Sequence, residues 1–352
     1  MMYNLGFYIH HQGTGHLIRA LTIAEALKHD FKITFLGSAL DSEHHIPDFI
    51  ERIHLAYDYD EMVNDDAVYP SVFHYAPLGV AGIRNRSRQI VDWFNAAYPC
   101  ILIVDVSVEI TLLARLCGIP TIVMRLHGKR DDAAHLAAYS SASLLIAPFG
   151  EELEDPETPA AVRSKTFYSG GFSRYSYSGI PCQGSLNEVC ILPGGGGSSL
   201  THKIVSKIAC ELPEKQFYVL AQSPEYSMPE NLTYTGWQND PRPWLERAAY
   251  LIGSAGDNGT MEAASLKRRF ICIIENRPFN EQEYKSRNLE RLRAAVAVQD
   301  VSRCNWKEVF QDAELLDPEN IGRLIYPEAL EDIRKRVLSL AEEIFNNPND
   351  LY

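Results

Sequence analysis

Two doubly wound α/β domains facing each other across a cleft are what this sequence predicts. Three observations carry that expectation. Short β-rich runs alternate with helical patterns along the whole chain, the mark of parallel sheets joined by crossover helices. The 352 residues are more than twice the ~150 of an average domain, so two core-forming units are expected. Midway, residues 168–185 (YSGGFSRYSYSGIPCQGS) are rich in Ser, Gly and Tyr, follow neither period, and read as a linker.

In the first half the runs LGFYIH, KITFLGS, CILIVDVS, PTIVMRL and SLLIAPF read as strands, separated by helical segments such as LIRALTIAEALKH and EITLLARLCG. In the second half EVCILPGGGG, QFYVLAQS, LTYTGW, YLIGSAG and FICIIE are the strands, with THKIVSKIACEL and TMEAASLKR among the helices. The expected boundaries are 1–168 for the first Rossmann-like domain and 185–326 for the second. An amphipathic helix at 327–345 lies in a C-terminal segment, 327–352.

Composition narrows the function classes. The chain is 46% hydrophobic and 22% charged, ordinary for a globular protein, and its net charge of −13 argues against nucleic acid as a partner held by overall charge. Seven cysteines stand singly, with no CxxC pair, which argues against a disulfide framework or a structural zinc site. The start, MMYNLGFYIHH, has no basic region ahead of its short apolar run, and no stretch reaches the ~20 apolar residues of a spanning helix. The expected location is cytoplasmic, with docking on the inner face of a membrane left open.

Ligands of doubly wound sheets bind beyond the carboxyl ends of the strands, so the loops there matter most. ILPGGGGSSLTHK places Gly194, Gly195, Gly196, Gly197, Ser198 and Ser199 between a strand and a helix. Glycine lets backbone N–H groups approach an oxyanion, and the helix start adds positive potential, which suits a phosphate cradle; a plain tight turn is the other reading. The Gly-Lys-Ser/Thr ending of a P-loop is missing. GSAGDNGTMEAASLKRRF is a second strand, glycine loop and helix start, with Asn258, Gly259, Thr260 and Glu262. Glu262 can accept from ribose hydroxyls or simply complement the helix dipole. Glu281 and Gln282 follow a strand, suited to sugar hydroxyls or to a solvated helix start. The first turn, HHQGTGHLIRA, holds Gly13 and Gly15 but has Ile18 where a dinucleotide fingerprint needs a third small residue, and no convincing acidic residue ends the second strand, where Asp41 of GSALDSE is the nearest. His16 stands at a helix N-terminus, whose dipole disfavours the imidazolium and keeps a neutral base available; a structural turn histidine is the alternative. Asp105 and His127 end strands on the same edge and are second-choice bases, or turn and cap residues.

GTGHLIR, the glycine-rich second loop, GTMEAA and the later NEQ, in this order, resemble GT-B glycosyltransferases. Within them the likeness is to the branch of the peptidoglycan lipid-intermediate GlcNAc transferase and the diacylglycerol galactosyltransferases. The resemblance implies a UDP-sugar or other nucleotide-sugar donor held by the second domain. The 194–199 loop would meet the diphosphate, Glu262 the ribose, Glu281 and Gln282 the sugar, and Trp237 would lie near the uracil. His16 carries over as the acceptor base or a diphosphate contact, and the final helix would cross back onto the first domain. The implied reaction inverts the anomeric centre in one displacement, needs no cofactor and no obligatory metal, and uses a glycan, lipid or small aglycone hydroxyl as acceptor. The loops depart from the family, GGGGSS against a GGSxGA-like form and HHQGTGH against GGTGGH. Asp58 and Asp60 form a DxD string, read here as a loop accident. Tyr57, Tyr59, Tyr69, Phe73 and Tyr75 line an acceptor pocket or build a core, the core being the reading preferred. Rival functions are a nucleotide-sugar hydrolase like that of pseudaminic acid synthesis, a UDP-GlcNAc 2-epimerase whose acidic and basic groups have no evident match here, and a silent nucleotide-sugar-binding protein.

Overall fold

The computed structural model describes residues 2–11, 15–40, 45–59, 70–175, 184–194, 197–225, 227–238 and 240–346. Two parallel sheets dominate it. The first contains β1 (Tyr3–Ile9), β2 (Phe31–Gly37), β3 (Ile50–His54), β4 (Cys100–Val104), β5 (Thr121–Met124), β6 (Leu144–Ala147) and β7 (Thr166–Tyr168), in the order β3-β2-β1-β4-β5-β6-β7. The second contains β8 (Ser185–Leu192), β9 (Gln216–Val219), β10 (Leu232–Tyr234), β11 (Ala248–Ser254), β12 (Arg269–Ile273) and β13 (Ala295–Val298), in the order β10-β9-β8-β11-β12-β13. Every named pair is parallel.

Central strands are apolar on both faces because helices cover both; all five residues of β4, CILIV, are buried. The edge strand β3, IERIH, is buried only at Ile50 and has no apolar run to betray it in the sequence. β10 is shorter than the expected LTYTGW: it stops at Tyr234, and Gly236 turns with φ +77°, a left-handed angle that glycine adopts without strain.

The helices of the first half are α1 (Gly15–Leu27), α2 (Ala81–Ala97), α3 (Val108–Leu116), α4 (Ala133–Ser141) and α5 (Ala160–Lys165). Those of the second are α6 (His202–Glu211), α7 (Arg242–Arg247), α8 (Asp257–Ser265), α9 (Glu281–Arg291), α10 (Trp306–Glu314) and α11 (Pro318–Gly322), followed by α12 (Ala329–Asn346). α12 lies against the first half. Its Ile333, Val337, Leu340 and Ala341 join one buried cluster with Leu5, Ile23 and Leu27, while Arg334 bonds Asp30 at 2.9 Å and Tyr3 bonds Asn346 at 2.8 Å.

Strand order reverses at β1/β4 in the first sheet and at β8/β11 in the second. Such switch points open a crevice beyond the strand ends. The segments that follow these four strands carry His16, Asp105, Gly194 and residues 256–259, and all of them line one cavity of about 1290 Å³ between the halves.

Candidate active site

β1 ends at Ile9, and α1 begins at Gly15, so His16 sits in the first helical turn above the sheet. β4 ends at Val104, which puts Asp105 directly beside it. The Asp105 carboxylate Oδ2 lies 2.6 Å from His16 Nδ1. Arg19, one turn further along α1 and buried, donates to Oδ1 of Asp105 from Nη2 at 2.6 Å and from Nε at 3.1 Å. Burial works against a charged Asp105, but Arg19 and His16 outweigh it and hold its carboxyl below the usual range. An ionised carboxylate on Nδ1 keeps the imidazole proton there and leaves Nε2 as the nitrogen that can accept one. His16 lines the cavity, so the pair is equipped for general-base work.

The other histidines of the first turn behave differently. His10 stacks on His11 with ring centres 4.7 Å apart and meets His16 edge-on at 5.9 Å. Burial, then the neighbouring His16 and His11, push the His10 pKa down to about 4, which keeps it uncharged. His11 lies near Asp58, and Asp58 is committed to the buried Arg86. Gly13, Asp41 and Asp60 lie outside the described residues.

Across the cavity, α8 opens with its N-terminus on the lining at residues 256–259. First-turn N–H groups have no partner inside their own helix and favour an anion. Arg19 reaches over to α8 and donates from Nη1 to Asp257 at 2.8 Å, and the fully buried Lys285 of α9 pairs with the same carboxylate. Asn258 donates to the Gly15 carbonyl at 3.1 Å. Two more bonds cross the gap: Arg130 to Glu281 at 3.1 Å, and the Lys129 N–H to the Phe279 carbonyl at 2.8 Å. Gly128 makes the second possible, since its φ is +100° and a Cβ there would stand 2.5 Å from the Phe279 oxygen.

The structure brings most, not all, of the expected site residues together. His16, Asp105, Gly15, Gly194, Trp237, Asn258, Gly259, Glu262, Glu281 and Gln282 all line the cavity. Glu262 is buried and accepts from Arg174 at 2.9 Å; burial pushes its carboxyl up and Arg174 pulls it back. Gln282 is also spoken for, its Oε1 accepting from the Glu275 N–H at 2.9 Å. Ser198 and Ser199 are not on the lining. Glu275 Oε1 takes the Ser198 hydroxyl at 3.1 Å, the Ser199 N–H at 2.7 Å and the Ser199 hydroxyl at 3.0 Å, so a protein carboxylate already occupies the donors that these two serines offer to phosphate. Gly197, with φ +91°, is likewise off the lining, and Gly195 and Gly196 lie outside the described residues. Thr260 is buried and serves the helix, donating to the Gly256 carbonyl at 2.7 Å. His127 is not at the cleft edge: it is buried, stacks on Phe149 at 4.0 Å, and its Nε2 is unbonded. Phe73, Tyr75 and Tyr59 belong to the cavity wall and not to a core; Tyr69 lies outside the described residues.

No protein-family model matches the chain, and no curated protein matches it in sequence. Solved structures do resemble it along its full length. A UDP-glucosyltransferase from Polygonum tinctorium capable of glucosylating indoxyl superposes with a TM-score of 0.68 at 14% identity, covering 97% of this chain and 99% of that one. MurG of Acinetobacter baumannii gives 0.60 at 15% identity, covering 97% and 99%. The calicheamicin glycosyltransferase gives 0.65 at 12% identity, covering 97% and 98%. The chain has the GT-B fold. Identities this low speak for the fold and leave activity to be argued from the site.

In this GT-B framework several site residues escape a sequence reading. Asp257 carries a signal, an acidic residue in a helix's first turn, but its two cationic partners come from α1 and α9. Arg174 falls in the linker, whose composition suggests nothing chemical. His74, Asp132 and His135 form the one group among the described residues that could present three metal-ligand atoms together. As they stand they are hydrogen bonded: Asp132 caps α4 and accepts from His135 Nδ1 at 2.5 Å and His74 Nε2 at 2.9 Å. Arg130 can only donate to His135 Nε2, at 3.1 Å, which places the ring proton on Nδ1. Metal ligation there would have to displace that proton.

Proposed function

We propose that the protein is an inverting glycosyltransferase. It would move a hexosyl or N-acetylhexosaminyl group from a UDP-sugar, or another nucleotide sugar, to an acceptor hydroxyl. The observation that carries the reading is the His16–Asp105 pair on one wall of a cavity whose other wall holds the α8 N-terminus and Glu262. In the proposed reaction His16 Nε2 takes the acceptor hydroxyl proton as the acceptor oxygen bonds to the anomeric carbon. The bond from that carbon to the donor diphosphate breaks, and its electron pair leaves on the nucleotide. Asp105, kept ionised by Arg19, stabilises the imidazolium that forms. The α8 N-terminus meets the charge that develops on the leaving oxygen. Glu262 is the ribose contact, Glu281 and Gln282 the sugar contacts, and Trp237, nearly half exposed on the lining, the base contact. This route uses protein dipoles and cations at the leaving group and calls for no metal. Phe73, Tyr75, Ile83, Val108 and Met124 give the acceptor side an apolar wall, which suits a lipid or aglycone hydroxyl better than a free sugar.

The test is to incubate the protein with UDP-glucose, UDP-galactose and UDP-N-acetylglucosamine, alone and with a panel of hydroxyl acceptors, in EDTA and in Mg²⁺. The reading predicts UDP release that depends on acceptor and persists in EDTA. Rapid stoichiometric release without acceptor would make the protein a hydrolase. Binding without turnover would make it a silent nucleotide-sugar receptor.

A further inference from the structure

We propose that Arg277 is the side chain that takes the negative charge of the bound diphosphate. The inference rests on the nucleotide-sugar reading above and adds the residue that neutralises the donor, which neither the sequence motifs nor the glycine loop supplies.

The argument is an accounting of charge on the cavity wall. Among the described residues five arginines line it, Arg19, Arg86, Arg130, Arg174 and Arg277, and no lysine does. Four of them are already matched: Arg19 with Asp105 and Asp257, Arg86 with Asp58, Arg130 with Glu281, and Arg174 with Glu262. Among the described residues Arg277 has no carboxylate partner; it donates from Nη2 to the Gly197 carbonyl at 2.7 Å. Six carboxylates among the described residues line the same cavity, Asp58, Asp105, Glu109, Asp257, Glu262 and Glu281, so the described wall carries no surplus of positive charge. An incoming diphosphate must therefore find a local cation, and among the described lining residues Arg277 is the one not yet spent.

Its position agrees with its availability. Arg277 follows the carboxyl end of β12, between the glycine loop and the Glu281–Gln282 helix start, on the donor side of the cleft. The serine donors of that loop are not a competing site, because Glu275 holds them. Arg277 is only partly buried, and its present acceptor is a neutral carbonyl. Exchanging that bond for a charge-assisted one to phosphate is favourable, and a guanidinium can engage two phosphate oxygens at once.

The experiment is calorimetric titration of the wild-type protein, Arg277→Gln and Arg277→Lys with UDP and with uridine, each protein first checked by thermal unfolding. Arg277→Gln should weaken UDP by ~10–100-fold, the span for losing hydrogen bonds to a charged group, and leave uridine binding unchanged. Arg277→Lys should recover part of the loss, and the salt dependence of UDP affinity should flatten in Arg277→Gln. An unchanged ratio of UDP to uridine affinity across the three proteins overturns the inference while the nucleotide reading survives. An equal loss for both ligands also overturns it, since Arg277 would then be shaping the pocket. A folded wild-type protein that binds neither ligand removes the nucleotide-sugar reading, and the assignment of Arg277 falls with it.

Discussion

Replacing Asp105 by Asn should disable His16 without disturbing the donor side, and the geometry says why. Arg19 points two N–H groups at Asp105 Oδ1, at 2.6 and 3.1 Å. An asparagine must turn its amide oxygen toward those donors, because the reverse orientation sets NH₂ against guanidinium. The amide NH₂ then faces His16 Nδ1, where the carboxylate oxygen stood at 2.6 Å. Nδ1 becomes the acceptor, and the ring proton moves to Nε2, the nitrogen that should receive the acceptor proton. The expected loss in kcat is about 10²–10⁴-fold, the whole contribution of a general base. Arg19 keeps Asp257 and the new amide oxygen, so the unfolding free energy should fall by only about 1–3 kcal/mol. The assay pairs steady-state turnover with calorimetric UDP binding, which should be unaltered because its contacts come from the other half. Turnover within about tenfold of wild type would refute the tautomer argument, since a general base supplies at least ~10².

Glu262→Ala should weaken UDP binding by about 1.5–3 kcal/mol if the carboxylate holds the ribose hydroxyls, and unchanged affinity in a titration would remove it from the site. Some stability should go with it, because Glu262 is buried against Arg174. Burial, reinforced by Lys285, pushes the His127 pKa from an ordinary 6.5 down to about 3, so the unfolded chain binds a proton that the folded one refuses. The stabilisation tied to a neutral His127 is therefore present above the unfolded pKa and lost as pH falls from 6.5 toward 3, amounting to about 2 kcal/mol between pH 7 and pH 5. His127→Phe, which keeps a ring against Phe149, should flatten the denaturation-derived stability over that interval; an identical pH slope would mean that His127 does not titrate this way.

The alternation of apolar runs and amphipathic stretches made both sheets legible because parallel strands covered on two faces leave unbroken hydrophobic words such as CILIV. Where that pressure is absent the sequence is silent: β3 is a charged edge strand, and α2 buries only Arg86, Ile90, Trp93 and Phe94 among its 17 residues. His16 and Asp105 were each visible as strand-end residues but not as a pair, since 89 positions separate them and only the switch point between β1 and β4 brings them together. The serines of the GGGGSS loop were misleading for a different reason. The loop's composition offers donors to an anion, and nothing local tells that Glu275, some 76 residues on, supplies one from within the protein. His127 likewise ends a strand in the sequence yet turns inward onto Phe149, a choice made by packing and not by its neighbours in the chain.

The central claim is that His16 is the base and that the nucleotide is held from the opposite wall. Turnover and UDP affinity measured side by side for His10→Ala, His11→Ala and His16→Ala test it most directly. The account predicts that only His16→Ala loses about 10²–10⁴-fold in kcat, with UDP affinity intact in all three. Near-normal turnover in His16→Ala would place the base elsewhere, and a loss of UDP binding in that variant would make the first turn a phosphate contact instead.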